Sequence, residues 1–239
     1  MKTMIKDTLI LFAITLVAGA LLGFVNELTK EPIAQYEADK KASACGEVFY
    51  EINEDGELAQ VAELTFEACS EEEIKKLNED IKDKIQGNIV IDEVYRAYLE
   101  PALIENENIS DMAEDSAAGL GTIISEDSFY GYVIGVTTKE GYNGEISFYV
   151  GITKEGRLKG VSLLQIAETP GLGMNAESVL LPQFRDVEAG HFTVVKTGAV
   201  GHDEIDAITS ATITSDAITG GVNASYECYI LLQEGGDAS

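Results

Sequence analysis

The sequence has no tryptophan, few histidines and cysteines, and only 16 lysines and arginines against 42 aspartates and glutamates in 239 residues. Its net charge of −26 excludes nucleic acid binding as a main function, because phosphate contacts need a basic face. Two histidines, His191 and His202, are too few for a triad or a metal site and are expected to be ordinary surface or loop residues. The length and the 45% hydrophobic content allow one or two domains with a real core.

The three cysteines, Cys45, Cys69 and Cys228, lie far apart and include no C-x-x-C pair. An iron–sulfur cluster or structural zinc site held by this chain alone is therefore not expected. A Cys45–Cys69 disulfide is compatible with a domain outside the cytoplasm, and three unpaired thiols are the alternative.

A long uncharged run, TLILFAITLVAGALLGFVN, occupies residues 8–26. As a helix it would be about 28 Å long, close to the ~30 Å hydrocarbon core of a bilayer. Lys2 and Lys6 precede it, and all acidic residues except Asp7 follow it, so we expect the N-terminus in the cytoplasm and the remainder outside. The competing interpretation is a cleaved signal peptide, whose apolar region is usually shorter and ends at a small-residue cleavage site.

The remainder of the chain predicts an α+β fold, with a mainly antiparallel sheet and packed helices. Proline at position 32 is expected to end the anchor, and residues 33–50 to form a helix that leaves the membrane. The charged stretch SEEEIKKLNEDIKDKIQ (70–86) predicts an exposed helix with a solvated face. We therefore divide the chain into a cytoplasmic N-terminus with the anchor, a charged helical segment, a folded domain and a flexible tail, at residues 1–32, 33–90, 91–234 and 235–239.

Four segments rich in β-branched and aromatic residues predict strands, at 93–99, 130–138, 145–153 and 158–166. Short turns, GYNG and KEGR, join the last three, which indicates an antiparallel meander, and the polar stretch 105–121 indicates a loop or an insertion. After Asp206 the pattern becomes helical, and one face carries apolar and aromatic residues: Ile218, Val222, Tyr226 and Tyr229.

Two stretches have a composition that indicates a functional role rather than a purely structural one. In AETPGLGMN (167–175), which follows a strand, Pro170 fixes a turn and two glycines let the backbone approach a flat ligand. In DAITSATITSDAITGG (206–221), Thr214 or Ser215 is expected to cap the last helix, with Thr212 just before its N-terminus, where an anion is favoured. Because no P-loop or arginine cluster is present, a phosphate here would be held best by a covalent bond. A plain turn and a hydroxyl-rich cap remain the alternatives from these residues alone.

The segment DAITSAT (206–212) resembles the flavinylation motif D-x-x-[S/T]-G-A-T of FMN-binding domains, in which FMN is joined to the last threonine by a phosphoester. GYNGEISFYVGI (141–152) and ETPGLG (168–173) resemble two further blocks of that domain, in the same order. The anchor with VNELTKEPIA (25–34) resembles the start of the RnfG subunit of the Rnf electron transport complex, so the similarity runs from about residue 4 to 232. One departure is Ser210, where the family usually has glycine; a turn with positive φ would be strained there.

The resemblance implies a flavoprotein, and a phosphoprotein, in which Thr212 carries covalent FMN and Asp206 and Thr209 belong to the recognition sequence. It places Leu172 against the flavin ring and Glu168 and Thr169 near the polar edge of the ring, with Tyr142 as an aromatic neighbour. The complete predicted cofactor site is Thr212, Asp206, Thr209, Ser210, Ala211, Glu168, Thr169, Gly171, Leu172, Gly173 and Tyr142. No catalytic residue of its own and no metal ligand is expected.

The resemblance also implies partners and a location. A flavin transferase would attach the FMN outside the cytoplasm, using FAD. Other membrane subunits would complete a complex in the plasma or inner membrane that passes electrons from reduced ferredoxin to NAD⁺ and moves Na⁺ or H⁺. This single-pass protein would be a flavin-carrying electron-transfer subunit of that complex, with its main domain extracytoplasmic.

Three alternatives remain at this stage. The NqrC subunit of the Na⁺-translocating NADH:quinone reductase shares the attachment motif. A non-redox, anchored extracellular binding protein would be colourless even when a flavin transferase is present. A self-contained extracytoplasmic flavin reductase would need an added substrate domain.

Overall fold

The computed structural model describes residues 2–52, 58–60, 63–99, 128–196 and 198–236. The chain divides into two compact units, Met1–Ser43 and Ala44–Ser239, and the sheet with its packed helices lies in the second. The stretch 105–121, predicted as a loop or insertion, and residues 237–239 of the predicted tail lie outside the described residues.

The first helix, α1, spans Lys2–Glu47 and contains a segment long and apolar enough to cross a membrane. The prediction that the helix ends at Pro32 is wrong, because α1 continues through this residue. Proline removes one backbone hydrogen bond and crowds the carbonyl four residues earlier, which weakens a helix locally without having to end it.

The main sheet has six strands in the order β3-β4-β5-β6-β7-β8, and every neighbouring pair is antiparallel. This confirms the predicted α+β class and the antiparallel meander of its central strands. The strands are β3 (Leu64–Ala68), β4 (Ile89–Leu99), β5 (Phe129–Thr138), β6 (Ile146–Thr153), β7 (Arg157–Gln165) and β8 (Val187–Glu188). Two small sheets pair β1 (Tyr50–Ile52) antiparallel to β2 (Leu58–Gln60), and β9 (Thr193–Val195) parallel to β10 (Glu204–Asp206).

The predicted charged helical segment, 33–90, is only partly helical: its described residues include β1, β2, β3 and the start of β4, and β3 is the edge strand of the main sheet. The segment includes the end of α1 and a second helix, α2 (Glu71–Ile81), which begins at a capping box in which Ser70 and Glu73 each accept the other's backbone N–H. Helix α2 is not fully solvated as predicted, because Leu77 and Ile81 are buried in the core.

The last helix, α4 (Thr212–Gly236), packs on the sheet together with α2 and so closes the main core. The predicted apolar face is confirmed, since Ile218, Val222 and Tyr229 are buried. A Cβ at Gly221 would lie 2.5 Å from Phe148, so the close approach of helix and sheet requires glycine there. A short helix, α3 (Ala176–Val179), lies between two 3₁₀ turns, Gly173–Asn175 and Leu181–Phe184.

A second apolar cluster covers the opposite face of the sheet. Tyr149 packs there, whereas its neighbours Phe148 and Val150 point into the main core, as alternation along a strand requires. Cys45 lies in this second cluster and Cys69 in the main one, and no disulfide joins them.

Candidate functional site

The loop after β7 is held as a rigid turn by its own backbone. The Thr169 carbonyl accepts hydrogen bonds from the N–H of Leu172, at 3.1 Å, and of Met174, at 3.3 Å. The Asn175 side chain donates to the Gly171 carbonyl at 2.9 Å. These bonds fix the ETPGLG stretch where the meander ends.

This loop is tied to the GYNG turn between β5 and β6. The buried Glu168 carboxylate accepts the Asn143 backbone N–H at 3.2 Å, and the Asn143 side chain donates to the Ala167 carbonyl at 2.7 Å. Two stretches that are 25 residues apart are thereby brought together, and Tyr142 stands next to Glu168.

The segment before α4 is clamped by a side chain from a distant turn. The Gln183 side-chain amide accepts the Asp206 N–H at 2.8 Å and donates to the Asp206 carbonyl at 3.0 Å, as a neighbouring strand would. The Asp206 carboxylate in turn accepts the Ala199 N–H at 3.0 Å. Asp206 therefore holds the segment before α4 in place through its backbone and its side chain.

The start of α4 differs from the prediction. The helix begins at Thr212, so Thr214 and Ser215 lie inside it and neither is its N-cap. Ser215 instead accepts the Ile208 N–H at 2.9 Å and donates to the Ala211 carbonyl at 3.0 Å, which closes the turn before the helix. That turn puts Ser210 at φ = 63°, the left-handed region that favours glycine, so the strain anticipated for a turn with positive φ is present.

The hydroxyl-bearing residues of the 206–221 stretch differ in their exposure to solvent. Thr214, Ser215 and Thr219 are buried, whereas Thr209, Ser210 and Thr212 are exposed. Of these three exposed residues, Thr212 alone lies on the helix, at its first residue. The first-turn N–H groups have no intrahelical acceptor and attract an anion, so Thr212 is the hydroxyl best placed to carry a phosphate.

A cavity of about 510 Å³ lies between the start of α4 and the two loops. Such a volume is typical of cofactor sites, which measure roughly 300–1,000 Å³. Eight of the eleven predicted site residues line it: Tyr142, Glu168, Thr169, Leu172, Gly173, Ser210, Ala211 and Thr212. A Cβ at Gly173 would lie 2.7 Å from both the Glu168 Cβ and the Thr214 Oγ1, so only glycine leaves these side chains in place.

Three predicted residues, Asp206, Thr209 and Gly171, do not line this cavity, and two further residues do: Ile213 and Thr214. The Thr214 side chain is 1% exposed, which makes its hydroxyl part of the cavity wall. Sequence reasoning missed these two as cavity residues because the helix was expected to start three or four residues later. Their position directly after Thr212 was the available signal.

Comparison with known families gives two matches. The profile of the FMN-binding domain matches residues 141–227, which include the cavity-lining segments described above. The profile of the RnfG N-terminal region matches residues 1–48, the α1 segment.

The chain is also similar to named proteins. It is 30% identical over 230 residues to the G subunit of the Na(+)-translocating ferredoxin:NAD(+) oxidoreductase complex of Acetobacterium woodii, across 95% of this chain and 92% of that protein. It is 41% identical over 97 residues to the G subunit of the proton-translocating ferredoxin:NAD(+) oxidoreductase complex of Clostridium ljungdahlii, across 40% of this chain and 51% of that protein. The crystal structure of Shewanella oneidensis NqrC aligns with a TM-score of 0.39 and 14% identity, over 59% of this chain and 62% of that one.

Proposed function

Because this chain belongs to the RnfG family, the G subunits of Rnf-type ion-translocating oxidoreductase complexes, we propose that it relays electrons through an FMN held covalently at the start of α4. The observation that carries the proposal is the position of Thr212. Its hydroxyl is exposed, at the first residue of a 25-residue helix, on the wall of a cavity large enough for a cofactor.

Thr212 is the attachment residue in this proposal. Its Oγ–P bond forms as the pyrophosphate bond of FAD breaks in a flavin transferase; AMP leaves, and the hydroxyl proton is released. The first-turn N–H groups and the helix dipole stabilise the phosphate charge. A covalent bond then keeps the phosphate in place on a chain whose net charge is −26.

Bound FMN supplies the redox chemistry, and the chain's own residues hold it and tune it. Leu172 offers an apolar contact, and Tyr142 an aromatic one, at the mouth of the cavity. The Glu168 carboxylate, buried in the wall, disfavours added negative charge beside it, which lowers the reduction potential of a flavin placed there. No nucleophile–base pair lines the cavity among the described residues, so electron relay fits the site better than turnover of a small molecule.

The protein is a single-pass membrane protein with α1 as its anchor. We place its N-terminus in the cytoplasm and its folded domain outside, because basic residues precede the apolar segment and acidic residues dominate after it. Partner membrane subunits would deliver and accept the electrons and move the coupling ion. The relatives named as G subunits and the RnfG N-terminal match favour this family over the NqrC subunit of the NADH:quinone reductase.

The test is in-gel flavin fluorescence of denatured protein that has been co-expressed with a flavin transferase. Wild type should give a fluorescent band. Thr212→Ala should give a dark one at equal protein level, while Thr65→Ala, at an exposed threonine on β3 that does not line the cavity, should stay fluorescent as the matched control. The same variants, incorporated into the purified complex, should show ferredoxin-dependent NAD⁺ reduction only where the band fluoresces.

A fluorescent Thr212→Ala band would refute the assigned residue. A dark wild-type band, with the transferase active on another substrate, would refute covalent attachment and favour a non-redox binding protein.

A further inference from the structure

A second cavity, of about 620 Å³, lies beside the 510 Å³ cavity at Thr212, which we call the flavin cavity. Ile213 in the first turn of α4 lines both. The second cavity is bounded by α4 at Asp216 and Thr219 and, across from it, by the segment 84–89 and by Glu140. We call it the flanking cavity.

The two basic side chains that line the flanking cavity, Lys84 and His191, both contact Glu227. The Lys84 ammonium lies 3.3 Å from one oxygen of Glu227, and the His191 ring nitrogen lies 2.7 Å from the other. The carboxylates that line it, Asp216 and Glu140, form no ion pair with a described residue: Glu140 accepts a backbone N–H, and partial burial raises the pKa of the Asp216 carboxyl. The cavity is therefore acidic where it opens.

One residue that lines the flanking cavity, Thr219, has a buried hydroxyl without a hydrogen-bond partner among the described residues. Among the residues that the structure describes, the Thr219 Oγ1 is the buried side-chain polar atom without a hydrogen-bond partner, in a side chain that is 2% exposed. A buried polar group left unpaired is costly, so an incoming N–H donor would be favoured here.

The mouth of the flavin cavity carries exposed apolar side chains. Tyr142, Leu172 and Ile213 line the cavity and are 68%, 37% and 53% exposed. Met174, whose N–H is bonded to the Thr169 carbonyl in the cavity wall, is 42% exposed. Exposed apolar groups gathered around one site are typical of an interaction surface.

We propose that this face docks a redox partner protein of the complex, through an apolar contact at the flavin mouth and a lysine or arginine of the partner seated in the flanking cavity between Asp216 and Glu140. The proposal rests on the proposed function, since a relay needs its partner to approach the bound flavin. Charge complementarity selects the occupant: the unneutralised groups are acidic, so the matching surface is basic. Ile213 joins the two contacts, which makes them one interface.

The experiment uses the complete complex, purified with each variant of this protein. Flavin attached to the protein is measured by in-gel fluorescence, and flavin reduction is followed by rapid mixing with reduced ferredoxin. Asp216→Lys should keep its flavin and slow the reduction on the order of tenfold, because it places a like charge against the partner. Glu155→Lys makes the same charge change on an exposed turn at the other end of β6, and should reduce at the wild-type rate.

A second pair of variants, one test and one control, examines the apolar contact. Met174→Asp should slow flavin reduction, whereas Val200→Asp, at a side chain that is 93% exposed and lines neither cavity, should not. Raising ionic strength with choline chloride should slow wild type, because it screens the attraction to the partner, and should speed Asp216→Lys, because it screens the repulsion.

Equal rates in the Asp216 and Glu155 variants, whether both slow or both normal, would overturn the docking proposal. A Met174-dependent dimer of the isolated protein would do so too, by identifying a second copy as the occupant. Loss of the fluorescent band in wild type would mark failure of the proposed function instead, so the two failures are distinguishable.

Discussion

Ser210 provides a sharp test of the turn that presents Thr212. A non-glycine residue in the left-handed region costs roughly 1–2 kcal/mol, and Ser210 lies there with φ = 63°. Ser210→Gly removes that strain but makes the unfolded chain more flexible, which costs about 0.4–1 kcal/mol. The two effects leave Ser210→Gly between neutral and about 1.5 kcal/mol more stable than wild type.

The matched control is Thr209→Gly, one residue earlier. Thr209 is not among the described residues with positive φ, so glycine there adds flexibility without relieving strain. It should cost roughly 0.5–1 kcal/mol. The assay is thermal unfolding of the full chain in detergent, expressed without flavin transferase so that flavin does not contribute. A destabilisation by Ser210→Gly equal to that by Thr209→Gly would refute the strained turn.

Three further predictions concern the surroundings of the site. Gly173→Ala should lower covalent flavin yield in the fluorescence assay, because its Cβ would collide with two cavity walls, whereas Gly190→Ala, with nothing within 4 Å, should not. Gln183→Leu should destabilise the chain by about 1–3 kcal/mol in denaturant unfolding, because it leaves the N–H and carbonyl of Asp206 without their partner; an unchanged midpoint would contradict the clamp. The Arg157 and Lys159 cations hold the pKa of Asp186 below its ordinary value, so this carboxylate stabilises the fold above that value and the contribution is lost as pH falls through the lowered pKa. Asp186→Asn should therefore flatten the stability–pH curve below about pH 4, by under about 1 kcal/mol since the pair is half exposed, and an unchanged slope would refute it.

The meander could be predicted from the sequence because the composition of each strand and the short turns between strands are local features. β5, β6 and β7 are runs of β-branched and aromatic residues joined by short turns, and each matched its predicted range within one residue. The buried face of α4 was predictable for the same reason, from its helical spacing.

The start of α4 was predicted wrongly because it depends in part on a contact between distant residues. The start of α4 was placed too late because several hydroxyls in a row could serve as the cap. The turn before the helix is instead set by Ser215 on Ile208 and by Gln183, 23 residues away, on Asp206. No local pattern reveals the pairing of Gln183 with Asp206.

The flanking cavity was not predicted for a similar reason. Lys84, Glu140, His191 and Asp216 are spread over more than half of the sequence and meet only in the folded domain. The pairing of Lys84 and His191 with Glu227 decides the charge of this cavity, and composition alone does not reveal such pairings.

The central claim is tested most directly by tandem mass spectrometry of the peptide that spans 204–219, taken from protein matured with a flavin transferase. The account predicts a single flavin phosphate ester on Thr212, with Thr209, Ser210 and Thr214 unmodified. A flavin on any of those three, or an unmodified peptide from fluorescent protein, would contradict it.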